Sequence, residues 1–426
     1  MSSDLNITRR TFTALAGALF CAPRAFAAQV PEFWNYYGAG NELEAAKALL
    51  DVANSQNPDT PISNRIIPGS DEGLWQQLQV GIMGGSPPAV SQFSTGYPLR
   101  ELAKSGNLLN ISEIWGDIKG DQMFSEGMRR VVSIGSDQFA IPLSASILGN
   151  CFYNKSIFDK LSLKPPTSWD EFGELCNKIK AAGLTPLAAS SPPGFLFYQT
   201  YGALLTVLGT EGMWSLARGD LAFTDPMLRK AFTLFKERVA VNFSKSWAGS
   251  KWSDGIDQMM RGETAMYIIG DWGSGYMEQR GWKAEVEYDF FPVPGFEKVT
   301  IFQADVVVAY KGAQEKAALN FLKSVASAAG QEAFNKKKGS LAPSAGAPSD
   351  FYNPVGKREF DKMTRGGDYV TMPNPYLLLP TGFHREVAVA VERYASTFDE
   401  KTFDADLAAL EVKHKSLKDA GKFVAW

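Results

Sequence analysis

Past its first 28 residues the sequence alternates short apolar runs with amphipathic stretches, and this alternation restricts the chain to few architectures. Residues 33–37 read as a strand, 41–54 as a helix, 63–68 as a strand, and 74–83 as a helix closed by Gly84-Gly85. Strand-then-helix repetition marks α/β units around a mostly parallel sheet, because each helix covers the apolar face its strand presents. The clearest helix spans 168–182. Pro165-Pro166 ends the preceding segment, Ser168 and Glu171 form a cap and its reciprocal partner, and Gly183 supplies a left-handed stop. Trp169, Phe172, Leu175, Cys176 and Ile179 recur at spacings of three and four, so they share one buried face, with Trp169 in the core. The same logic predicts helices over 226–240, over 313–329 ending at Gly330, and in the stretch 385–420.

The chain has 426 residues, enough for about two or three domains. Its 43 basic and 46 acidic side chains leave a formal charge of −3, which argues against a nucleic-acid surface. Two histidines and three cysteines form no HExxH, CxxC or mixed cluster, so neither a metal site nor a cofactor is expected. Cys151, in a strand-like run, and Cys176, on the 168–182 helix, read as two separate buried thiols. After the N-terminus no apolar run approaches membrane-spanning length.

Residues 1–28 read as an export signal. Arg9-Arg10-Thr11-Phe12 gives a twin arginine, residues 14–22 a modest apolar stretch, and Ala25-Phe26-Ala27 a small-x-small cleavage pattern. Phe20 before Cys21 argues against lipid attachment, so the expected location is the periplasm, with the mature protein free there.

Further blocks occur in a fixed order. Tyr153-Asn154-Lys155 precedes Pro165-Pro166-Thr167-Ser168-Trp169-Asp170-Glu171-Phe172; then come Ala181-Ala182-Gly183-Leu184-Thr185-Pro186-Leu187 and Arg261-Gly262-Glu263-Thr264-Ala265-Met266. Gly270-Asp271-Trp272 and Asp289-Phe290-Phe291-Pro292-Val293-Pro294-Gly295 follow. In this order they resemble the extracellular carbohydrate-binding proteins of ABC transporters, solute-binding protein family 1, nearest the glucose- and mannose-type binders. The resemblance implies a two-lobed α/β periplasmic-binding-protein fold with an interlobe cleft. Lobe 1 would comprise 29–140 with 304–345, and lobe 2 141–303 with 346–426. It also implies a monomer that captures a carbohydrate ligand by hinge closure, hands it to the ABC transporter permease subunits, and performs no catalysis.

The expected ligand-binding residues follow from the same likeness. Tyr36 and Tyr37 replace the paired tryptophans of those relatives, and Glu42 follows as a sugar-hydroxyl acceptor or merely a first-turn carboxylate. Trp272 would stack on the sugar, with Phe195 and Trp252 as further aromatic residues. Gln303 and Asp305 match an amide and a carboxylate that bind hydroxyls. Asp305 within the run Val306-Val307-Val308 needs donors on physical grounds alone. Lys338 matches a ligand-reaching lysine, although the run Lys336-Lys337-Lys338 also fits a solvated helix end. Ser94 stands where the relatives carry a basic residue, Ser144 lies at an expected crossing, and Tyr376 is nearer than His384 to the place of an expected histidine. These departures leave a polyol, an opine or a sugar acid open as ligand, and a secreted glycoside hydrolase remains a second alternative.

Overall fold

The computed structural model describes residues 30–38, 40–191, 194–312, 314–364, 369–424 and 426. The expected export signal lies outside them. Two sheets organise the chain. The first contains β1 (Glu32–Asn35), β2 (Ser63–Ile66), β3 (Val90–Ser94), β6 (Ala140–Leu148), β11 (Val299–Ala309) and β12 (Val370–Pro373). A two-stranded ribbon, β4 (Ser133–Ile134) and β5 (Asp137–Gln138), leads into β6. The second sheet runs β10 (Tyr288–Pro292), β7 (Asn150–Asn154), β9 (Thr264–Ile269), β8 (Thr185–Ala188).

The first sheet begins parallel, β1 pairing with both β2 and β3, as the strand–helix repetition predicts. It turns antiparallel at β11, which pairs with β6 along nearly its whole length. On its other edge β11 pairs with β3 over Asp305–Ala309 and with β12 over Val299–Phe302. These two long strands connect separate cores. The cross-strand pair Ile147 and Phe302 packs in the core of the first sheet, and the next pair, Leu148 and Ile301, in the core of the second. The result is a two-lobed α/β molecule whose lobes share β6 and β11.

Local chemistry explains the element ends. Ser168 accepts the Glu171 amide at 3.2 Å and opens the helix Trp169–Ala181, and Glu171 reaches back to the Thr167 amide (2.7 Å). Trp169 is buried, its indole donating to Thr206 Oγ1. The helix expected over 313–329 is two helices, Glu315–Ala326 and Ala328–Lys338. Ser327 is extended (ψ 151°) and caps the second by accepting the Gly330 amide at 3.1 Å, so Gly330 lies in a first turn and ends nothing. The C-terminal helical stretch likewise divides, at Phe398, into Phe383–Thr397 and Glu400–Asp419. Cys151 and Cys176 are buried free thiols. Among the described residues no helix is long and apolar enough to cross a membrane.

Candidate functional site

Where β1 ends, Asn35 folds the chain. Its side-chain oxygen accepts the Tyr37 amide at 3.0 Å and its side-chain nitrogen donates to Asn64, which turns Tyr36 and Tyr37 out of the strand. They meet Asp305, which sits where the β6–β11 register shifts, opposite Ser144 on one side and Ser94 on the other. A bulge of this kind re-aims a side chain. Asp305 collects donors from three elements: Lys338 Nζ at 2.5 Å, the Ser144 hydroxyl at 3.0 Å and Gln92 Nε2 at 3.2 Å, with the Tyr36 hydroxyl at 3.5 Å. Burial alone would raise its pKa; Lys338 and the hydroxyls outweigh burial and hold it below the usual aspartate value. Lys338 also donates to Ser144 at 3.0 Å and lies over the Tyr37 ring. Of the three consecutive lysines it is the one turned inward, at 14% side-chain exposure, whereas Lys336 pairs with Glu332 at the surface. Glu42 is close enough to feel both Lys338 and Asp305, and burial raises its pKa.

Two residues earlier on β11, and therefore on the same strand face about 7 Å away, Gln303 begins an aromatic group. Its Oε1 accepts from the Tyr198 hydroxyl at 2.9 Å and from Asn374 Nδ2 at 3.2 Å. Tyr198 lies beside Phe195 (centroids 5.7 Å) and edge-on to Tyr376, and Phe195 meets Trp272 edge-on at 5.9 Å. Trp272 opens a short helix, Trp272–Gln279. Gly270 permits this: a β-carbon there would lie 1.9 Å from the Trp272 ring.

Asp271 joins the two groups. Its amide donates to the Ile147 carbonyl of β6 at 3.1 Å, and its carboxylate oxygens are buried without a well-formed hydrogen bond. Burial raises its pKa to about 8, although the Ile147 amide, Ser146 and Lys338 pull the other way.

The structure thus brings Tyr36, Tyr37, Glu42, Ser144, Asp305 and Lys338 into one cluster, with Ser94 beside Asp305 in the neighbouring strand. It gathers Phe195, Trp272, Gln303 and Tyr376 into a second. Trp252 joins neither group directly; its ring packs edge-on against Tyr276, among the residues behind β9. Sequence reasoning missed Gln92, Asp71, Tyr198, Asn374 and Asp271. Asp71 is exposed, yet its charge reaches Tyr36 in the first group and Tyr198 and Tyr376 in the second. His384, which sequence spacing placed too late, packs edge-on against Tyr376 at 4.5 Å. A surface depression of about 580 Å³ lies elsewhere, at the opposite end of the second sheet, among Asn154, Asp159, Arg261, Trp282 and Glu287. Among the described residues no group of three or more His, Cys, Asp or Glu side chains is placed to hold a metal ion.

Comparison with known proteins yields a consistent set. The family model for bacterial extracellular solute-binding proteins matches residues 39–332. An uncharacterised ABC transporter extracellular-binding protein of Pyrococcus horikoshii is 28% identical over 331 residues, covering 76% of this chain and 74% of its own. A probable sugar-binding periplasmic protein of Rhizobium meliloti is 24% identical, covering 82% and 84%. Among solved structures, the bacterial solute receptor AcbH, described as exclusively preferring β-D-galactopyranose, superposes with a TM-score of 0.78 at 19% identity, covering 91% of this chain and 98% of its own. RafE in complex with raffinose superposes at 0.71 with 20% identity, covering 90% and 99%. At these identities the structural likeness shows the fold.

Proposed function

The chain belongs to the bacterial extracellular solute-binding protein family, and from that premise we propose that it captures a mono- or small oligosaccharide for an ABC importer. One observation carries the carbohydrate reading: a single face of β6 and β11 presents Ser144, Gln303 and Asp305 beside the rings of Tyr198, Phe195 and Trp272. Pyranose rings offer apolar C–H faces to aromatic side chains and hydroxyls to carboxylates and amides, and each hydroxyl needs a partner once water leaves. The names of the relatives, probable sugar-binding proteins and a raffinose-bound neighbour, support the same ligand class.

In this reading one lobe comprises 29–140 with 304–345 and the other 141–303 with 346–426, and β6 and β11 act as the crossings about which the lobes close. The packing of both strands against two cores supports two lobes joined along β6 and β11, with Ile141 to Ile147 of β6 and Phe302 of β11 lying on the first core's side. Phe360 and Met363 pack against the first core, so the C-terminal segment touches both lobes. Export by the twin-arginine signal at 1–28 would place the protein, as a monomer, in the periplasm beside its permease.

Thermal-shift screening of the mature chain against sugars, polyols, sugar acids, amino acids and metal ions tests the proposal. A saccharide bound at about 1 μM, present at a hundredfold excess over its Kd, stabilises the folded state by about 2.7 kcal/mol, a shift of several degrees. The sugar should be recovered unchanged, in keeping with a receptor. A response to amino acids or metal ions alone, or accumulation of hydrolysed sugar, would overturn the reading.

A further inference from the structure

The two lobes also meet on the face of the hinge turned away from the site. Side chains alternate along β11, so Phe302 points opposite to Gln303 and Asp305. Behind Phe302 lies the helix Glu126–Val132: a β-carbon on Gly127 would stand 3.2 Å from the Phe302 ring and 2.7 Å from the Thr371 carbonyl oxygen of β12. Arg130, one turn further along and paired with Glu126 at 2.5 Å, lies over Trp214, 5.4 Å from the ring centroid. Trp214 comes from the helix Tyr201–Arg218 of the other lobe and packs against both cores, while Ala217 of the same helix is buried in the first. The pattern repeats beside it. The helix Tyr97–Lys104 packs on Glu126–Val132 and carries Arg100 over the Trp426 ring at 4.9 Å. Trp426 packs on the first core and donates its indole N–H to the Leu378 carbonyl at 3.2 Å. Three residues earlier, Phe423 packs on the second core, against Gly219 and edge-on to Phe383 and His414. Across the same seam Glu101 accepts from the Thr381 hydroxyl at 2.6 Å. On the side of the site the lobes stand apart: among the described residues no hydrogen bond or ring contact joins Tyr36 or Tyr37 to Phe195 or Trp272.

We propose that the Arg100–Trp426 and Arg130–Trp214 stacks form a rear clasp that holds the lobes apart at the cleft, so that residues remote from the guest set part of its affinity. The proposal rests on the hinge closure proposed above and adds what opposes it. A rotation about β6 and β11 that brings the cleft walls together draws apart the groups on the reverse face. Each stack is therefore made in the open arrangement and lost in the closed one. Tryptophan is the ring that holds a cation best, and two such stacks together restrain closure by about tenfold. A receptor whose competent state is a minor fraction binds with its intrinsic affinity reduced by that fraction. Loosening the clasp thus raises affinity without touching the guest.

Interlobe distances in the ligand-free mature chain decide the matter. Cys151 and Cys176 are buried, so cysteines introduced on the exposed lips of the two lobes take the spin labels for pulsed electron paramagnetic resonance. Arg100→Gln with Arg130→Gln leaves both rings on the cores and removes only the cations. This pair should raise the population at the shorter, closed distance by about tenfold, and Trp214→Ala with Trp426→Ala by at least as much. A merely structural loss would lower the melting temperature and leave the distances where they are. Longer distances in either double variant, or unchanged ones while an excess of D-glucose, D-mannose or maltose shortens the parent's, would overturn the clasp. Distances that no variant and none of these sugars alters would instead refute the hinge closure beneath it, a failure recognisably different from a clasp that restrains nothing.

Discussion

Asp305 and Asp271 are both buried carboxylates beside β6, and the protein treats them in opposite ways. Asp305 is held ionised by an ammonium, a hydroxyl and an amide drawn from three separate elements. Asp271, at the end of β9, has its backbone tied to Ile147 but no well-formed bond to either carboxylate oxygen. Lys338 acts on both, yet its ammonium is committed to Asp305. The contrast shows that burial alone does not set a charge state: where donors converge the carboxylate stays ionised, and where they do not burial favours the neutral acid. One end of the site is thereby a fixed electrostatic lattice and the other a neutral, aromatic wall.

Breaking the lattice should have the largest effect. Asp305→Ala leaves the Lys338 ammonium largely buried without its counter-charge, and removing one partner of a buried pair costs about 3–5 kcal/mol. Urea denaturation should show that loss, and the double variant Asp305→Ala/Lys338→Met should regain much of it. Because the folded pKa of Asp305 lies below its unfolded value, its contribution is present above the unfolded pKa and is lost as the pH falls through the folded one. An Asp305→Ala protein of parental stability would show that the lattice does not hold this side together.

Asp305 is legible in the amino-acid sequence because a carboxylate beside Val306-Val307-Val308 demands partners, but those partners are visible there only where a family pattern marks them. Gln92 sits on β3, more than two hundred residues away along the chain, and no local periodicity links the two. Lys338 is one of three equivalent lysines until the phase of its helix decides which turns inward. The alternation of strands and helices is readable because it is local; the break at Ser327 is not, since an Ala-rich pattern runs smoothly through a backbone that leaves the helix for one residue. In Gly270-Asp271-Trp272 the ring draws attention, whereas the chemistry of the aspartate depends on β6 and on the segments carrying Lys338, Tyr352 and Glu359, all distant in sequence.

A second, smaller test concerns Asp271. Its folded pKa of about 8 lies far above the unfolded value near ~3.9, so between these limits the folded state holds the extra proton. Stability contributed by this group is complete at the acid end of that window and declines as pH rises through it, opposite in sign to Asp305. Asp271→Asn should flatten the decline and, at the alkaline end, exceed the parent by about 1–3 kcal/mol. Thermal melts from about pH 5 to about pH 9 measure this. Parallel curves for the parent and the variant would mean that Asp271 is ionised and satisfied, and the contrast between the two ends would disappear.

The smallest effect on stability belongs to the aromatic wall. Phe195 is partly exposed and contributes an edge-to-face contact to Trp272 at 83° together with a contact to Tyr198. Aromatic pairs of this geometry are worth about 0.5–1.5 kcal/mol. Phe195→Ala should therefore lower the melting temperature only slightly, while loosening the ring that we place against a sugar face and weakening saccharide binding by about tenfold. The sharper measure is the ratio of the two losses. At Asp305 folding and binding should fall together, because one network serves both; at Phe195 binding should fall further than folding, because a partly exposed ring has little to hold except the guest.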